Sequence, residues 1–456
     1  MTYTDFIAAI DLGSSHMVGM VGVKDASGSL SVINYEVESS SSCIRRGCVY
    51  NVKETASKIK RLILKLENKL NGAKIGKVYI GLGGQSIRSI DHTVCKVLGT
   101  EGVVTESIIE SLYQECLTYR PEMLSVLDVV SPSYYLDDRL ESNPVGVSCS
   151  RIEARYKLIV GRPSLKLNVI NSIAEQANIE VAGILVSPLA LGDVKLSENE
   201  KDLGCALVDF GAGVTSVTVY KGGKLISLTV IPLGCNLITR DITSLRVVES
   251  EAERLKITYG RAKNDKDSDL TVQVSLADGL GLREIKVAEL NNVIEARANE
   301  ILENVYARLE ATGILNSLGA GIVISGGGAA LKDLQEVMSE RLKMEVRFTP
   351  IRKGVIANGD LVVSNNPEYA VAVGLLMKGT KNCALYIPPK PEPKPVIEKE
   401  EPVQEVKEEV KKEPEQPQVK PSRKKNSGSW WKNWTQKAEN IGRDLFNESE
   451  NGETTK

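Results

Sequence analysis

One short pattern, written twice, constrains this chain more than anything else in it. Ala8-Ala9-Ile10-Asp11-Leu12-Gly13-Ser14-Ser15 is an apolar run that delivers an aspartate into a Gly-Ser turn, and Val18, Met20 and Val23 behind it have the spacing of a returning strand. Ala206-Leu207-Val208-Asp209-Phe210-Gly211-Ala212-Gly213-Val214-Thr215-Ser216-Val217 repeats the plan, with a second strand through Val217, Val219 and Tyr220. Such a turn presents backbone N–H groups and hydroxyls to phosphate oxygens, and an aspartate at the strand end can hold Mg²⁺ through water. Taken alone, the first copy fits an ordinary hairpin better than a ligand site. Two copies point to an internal duplication, with two phosphate-binding turns facing each other across a cleft.

A third glycine cluster, Gly326-Gly327-Gly328, follows the apolar run Ile322 to Ser325 and is expected to open a helix over 331–341, where its backbone can approach a phosphate or an adenosine face. Elsewhere in the first 380 or so residues, β-branched runs such as Val78 to Leu82 alternate with amphipathic stretches, so an α/β architecture is expected. Helices are predicted over 55–70, 248–259 and 288–312, the last from Leu290, Val293, Ile294, Ile301, Val305 and Leu309 on one face. A formal charge of -2 with 25% charged residues carries no global signature for nucleic acid, and no nucleic-acid partner is expected. The eight cysteines are scattered without a CxxC pair and there are two histidines, a pattern of reduced thiols rather than a zinc site. No secretory leader and no run approaching a spanning length is expected.

The two aspartate turns and the Gly326–Gly328 turn, in this order, resemble the phosphate-1, phosphate-2 and adenosine loops of the actin, sugar-kinase and DnaK-type chaperone superfamily. Leu233-Gly234-Cys235-Asn236-Leu237-Ile238-Thr239-Arg240-Asp241-Ile242, Glu251 to Gly260 and Asn366 to Leu376 narrow the resemblance to the FtsA family of bacterial cell-division proteins. That resemblance implies an actin-like ATPase fold of two ribonuclease-H-like domains: residues 1–77 with 163–197, and 198–387, with a small α/β subdomain inserted at 78–162. It implies bound ATP with Mg²⁺ near Asp11 and Asp209, phosphates lined by Gly13, Ser14, Ser15, His16, Gly211, Ala212, Gly213 and Thr215, ribose or adenine reached by Glu253 and Lys256, and Gly326, Gly327 and Gly328 over the adenosine. His16 stands where the family commonly has a lysine, and a mostly neutral imidazole pulls less on a terminal phosphate. ATP binding with at most slow hydrolysis is therefore the expectation. The family also implies that Arg297 and Glu300 meet the C-terminal tail of the tubulin-like FtsZ, although a solvated charged face reads equally well from the residues. Self-association into an actin-like filament and recruitment of later division proteins are further implications.

Nine of the 17 prolines fall between residues 388 and 428, mixed with Lys and Glu and without one aromatic side chain. Such a stretch cannot bury enough apolar area to offset its ordering entropy, so it is expected to be a disordered tether. All three tryptophans then follow: Trp430, Trp431, Trp434, Ile441, Leu445 and Phe446 recur at three and four residue steps, opposite a polar face with Lys432, Lys437 and Arg443. Within residues 429–456 this predicts an amphipathic helix for anionic lipid, and the family resemblance implies that it lies on the cytoplasmic side of the membrane, at the division septum. A PilM-like pilus protein or another assembly ATPase of the superfamily is the alternative.

Overall fold

A computed structural model describes residues 5–99, 102–174, 179–265, 269–275, 281–357 and 361–385. The expected tether and the expected membrane residues Trp430, Trp431, Trp434, Ile441, Leu445 and Phe446 lie outside the described residues. No helix among the described residues is long and apolar enough to cross a membrane.

The first sheet runs, in spatial order, Glu180–Val186, Lys77–Leu82, Ile7–Leu12, His16–Lys24, Leu30–Ser39. Its middle strand is apolar because it is buried on both faces, with Ala8, Ala9 and Ile10 wholly covered. Ile7–Leu12 and His16–Lys24 are antiparallel neighbours, and Lys77–Leu82 lies parallel on the other side. The second sheet repeats that order and those directions with Val346–Phe348, Ile322–Ser325, Cys205–Phe210, Thr215–Lys221 and Lys224–Ile231. The duplication seen in the two aspartate motifs is thus a duplication of whole five-strand sheets.

The copies then diverge. Lys224–Ile231 does not end its sheet: Thr229 pairs with Arg88 of the strand Arg88–Val97, and the ladder continues through Arg151–Gly161, Ser125–Leu136 and Arg139–Glu141 to nine strands. These added strands, with the helix Glu106–Thr118, have a core of their own around Leu112, Ile152, Tyr156 and Leu158. The sequence reading starts the insertion at residue 78. In the structure Lys77–Leu82 is paired on both sides within the first sheet, and the chain leaves that sheet after Leu82.

Helices cover the sheets where the spacing predicts them. Val52–Glu67 turns Ile59, Leu62 and Leu66 inward and starts at Asn51, whose side chain accepts from Glu54 N, so it begins earlier than expected. Glu249–Tyr259 and Val287–Glu310 follow the predicted faces. The glycine cluster does not open a helix directly. A 3₁₀ turn over Gly327–Ala330 comes first, and the helix starts at Leu334, after Asp333 in the left-handed region. Between the turn and the helix Lys332 bridges Arg261, whose guanidinium donates to both oxygens of Asp333 at 2.7 and 3.0 Å.

Candidate functional site

Between the two sheets lies a cavity of about 350 Å³, within the range of small-molecule and cofactor sites. Asp11, Gly13, Ser14, Ser15 and His16 line it from one side, and Asp209, Gly211, Ala212 and Gly213 from the other. The hairpin register places each aspartate one residue before the last pair, Leu12 with Met17 and Phe210 with Thr215, so each turn spans four residues. The turns come close enough to need glycine. A Cβ on Gly213 would lie 2.3 Å from Ser14 Oγ, and one on Gly326 would lie 2.5 Å from the Phe210 carbonyl.

The first turn is propped by hydroxyls: Ser40 Oγ donates to Gly13 O at 2.6 Å, and Ser14 Oγ accepts from Gly47 N at 2.8 Å. The second is propped by backbone, with Cys235 N donating to Gly211 O at 3.0 Å and Asn236 N to Ala212 O at 2.9 Å. His16 is bracketed by Ser15 Oγ at 2.9 Å and by a Glu368 oxygen at 3.7 Å from Nε2. Thr215 is not brought to the cavity: it is fully buried and donates to Leu233 O at 2.8 Å.

Burial pushes the Asp11 carboxyl up to about 7, and the charge of Asp209 pushes in the same direction. Asp209 is raised by burial to about 6, opposed by the cation of Lys195. Lys195 is itself buried, donating to Thr349 O at 2.6 Å, and its burial lowers it to about 8. Two shielded carboxylates raised in this way favour a cation between them. Among the described residues no group of three or more His, Cys, Asp or Glu gathers to enclose a metal. Two carboxylates suit Mg²⁺, which shares its shell with phosphate oxygens and water.

At the far end Glu253 and Lys256, at 2.7 Å, line the cavity on Glu249–Tyr259 and share Thr239 Oγ1. Gly326, Gly327 and Gly328 also line the cavity, and a Cβ on Gly326 would lie 2.7 Å from Asp209 Oδ1. Sequence reasoning missed Ser187, which donates to Asp11 at 3.3 Å, and also Gly47, Gly84, Ile257 and Glu368. These come from separate stretches that only the fold gathers, and no local signal marks them. Arg297 and Glu300 do not line the cavity; they are paired with each other on Val287–Glu310, and Arg297 Nε also donates to Asp241 at 2.5 Å.

The chain matches the family described as "Cell division protein FtsA" over residues 206–374 and "SHS2 domain inserted in FTSA" over residues 84–160. It is 39% identical over 382 residues to the cell division protein FtsA of Porphyromonas gingivalis, covering 83% of this chain and 79% of that one. The FtsA of Bacillus subtilis is 29% identical over 392 residues, covering 84% and 86%. Among solved structures, one of a PilM-PilN type IV pilus biogenesis complex matches with a TM-score of 0.58 at 17% identity, over 82% of this chain and 98% of that chain, a likeness of fold alone. On its actin-like ATPase fold, with the inserted domain in place, this chain belongs to the FtsA family of cell-division proteins.

Proposed function

We propose that this protein is the nucleotide-dependent adaptor that holds the division ring to the membrane. The observation that carries the nucleotide half is the pair of buried aspartates, Asp11 and Asp209, each ending a strand beside a glycine turn, on opposite walls of one cavity. ATP would lie with its phosphates against Gly13, Ser14, Ser15, Gly211, Ala212 and Gly213, and its nucleoside between Glu253, Lys256 and the Gly326–Gly328 turn. Mg²⁺ between Asp11 and Asp209 would neutralise phosphate charge. Beside the glycine turns His16 is engaged by Ser15 and Glu368, and Asp11 and Asp209 would be committed to Mg²⁺, which supports binding with slow turnover.

The adaptor half rests on the family. Arg297 and Glu300 form the docking face for the FtsZ C-terminal tail, copies of the chain associate into a filament, and later division proteins assemble on it. The segment carrying Trp430, Trp431, Trp434, Ile441, Leu445 and Phe446 inserts into anionic lipid on the cytoplasmic face at the septum. A single helix of that kind binds reversibly, and filament avidity makes the attachment firm.

Co-sedimentation with anionic liposomes, with and without residues 430–456, tests this reading. Full-length protein with ATP should carry FtsZ down with lipid, and the truncated chain should not. A chain that binds ATP yet ignores both lipid and FtsZ would move the reading to another assembly ATPase of the superfamily.

A further inference from the structure

The phosphate end of the cavity is short of positive charge. Among its lining residues only Lys256 and His16 can supply a cation. Lys256 is tied to Glu253 and Thr239 at the other end, and His16 is held between Ser15 and Glu368. Asp11 and Asp209 add negative charge, so a triphosphate there calls for more positive charge than one divalent ion brings.

A small hairpin supplies what is missing. Ile44–Arg45 pairs with Cys48–Val49, Ile44 opposite Val49 and Arg45 opposite Cys48, leaving Arg46-Gly47 as a two-residue turn. Both turn residues have positive φ, 50° and 71°, the geometry of a type I′ turn. Glycine adopts it freely, whereas an arginine there is strained and must be held by its surroundings. The surroundings are the phosphate turns. Gly47 N donates to Ser14 Oγ at 2.8 Å, Gln85 N donates to Arg46 O at 3.2 Å, and a Cβ on Gly213 would lie 3.1 Å from Arg46 Cα. The Arg46 backbone is therefore seated where the two glycine turns converge. Its side chain is exposed, and the bond to Gln85 Oε1 is long at 3.4 Å. The neighbouring Arg45 is occupied, stacked on Tyr50 at 4.1 Å.

We infer that Arg46 is the guanidinium that closes on the terminal phosphate of a bound nucleoside triphosphate, and that it makes the site prefer triphosphate to diphosphate. This rests on the reading of the cavity as a nucleotide site. Arg46 leaves Gln85 and gives two parallel N–H donors to the phosphate, the fork geometry that a guanidinium offers and an imidazole does not. The left-handed turn fixes where the arm starts, and the ordering of its side chain on closing is offset by the two charge-assisted bonds.

The test is calorimetric titration of the full-length chain with MgATP and with MgADP, comparing R46A, R46K and R46G. R46A should weaken ATP by about tenfold to a hundredfold and ADP by less than about threefold, and R46K should recover part of the difference. R46G relieves the left-handed residue, so its unliganded melting temperature should match or exceed that of the wild type while the preference for ATP is lost. Equal losses for both nucleotides, or ATP affinity unchanged in R46A and R46G, overturn the role of Arg46 alone. A wild-type chain that binds neither nucleotide removes the nucleotide reading and this inference together.

Discussion

The two aspartate turns come from one plan, yet they are held differently. The first carries hydroxyls and an imidazole and leans on Ser40 and Gly47; the second is glycine, alanine and valine and leans on the backbone of Cys235 and Asn236. Their aspartates differ too: burial raises both, but the buried Lys195 restrains Asp209 to about 6, while the charge of Asp209 adds to the burial of Asp11, which reaches about 7. Duplication thus provides matched geometry, and the side chains around each copy divide the work. One turn can be tuned through side chains, and the other offers only main-chain donors.

The largest expected effect separates the two carboxylates. Asp11→Asn and Asp209→Asn should each weaken Mg²⁺-dependent ATP binding by about a hundredfold or more, read by titration calorimetry. Their pH signatures should differ. A carboxyl with a folded pKa above its unfolded value of 3.8 holds extra protons in the folded state, so stability falls as pH rises between the two values. For Asp11 that fall runs from about 4 to about 7 and for Asp209 from about 4 to about 6, each on the order of a few kcal/mol. Unfolding of the ligand-free wild type against each Asn variant checks it, and identical slopes would break the comparison.

Gly213→Ala tests the contact between the turns. Its Cβ would meet Ser14 and Arg46, so a stability loss of about 1–3 kcal/mol and a clear drop in ATP affinity are expected. Ser40→Ala removes the prop under Gly13 O and should cost about 1–2 kcal/mol in denaturant unfolding. Thr215→Val should be mildest, about 1 kcal/mol of stability with ATP affinity within about twofold of wild type. A large loss of affinity there would return Thr215 to the phosphates.

Strands such as Ile7–Leu12 and Cys205–Phe210 were legible because burial on both faces writes a continuous apolar run. Thr215 shows where that reading loses parity. Odd-numbered residues of its strand, Val217 and Val219, face the core, and Thr215 goes with them while Ser216 lines the cavity. The hairpin Ile44–Val49 is too short for any periodicity to mark it, and its place against Ser14 depends on contacts distant in sequence. Lys195 reads as an ordinary polar residue at a helix end and becomes a buried cation only when the strand Val346–Phe348 arrives beside it. Sequence periodicity reports which face is covered, and it is silent on what covers it.

The shared nine-strand sheet has a mechanical consequence. The inserted strands are threaded through the first half of the chain, leaving after Leu82 and returning before Pro163, yet their main-chain bonds run to the second half through Thr229 and Arg88, Val230 N and Ile87 O. The insertion is thus a yoke, bolted to one half by covalent tethers and to the other by a short seam, where Leu228 N also donates to Ser89 Oγ at 2.9 Å. A swing of the two halves loads that seam, so a joint of few main-chain bonds registers the strain between them.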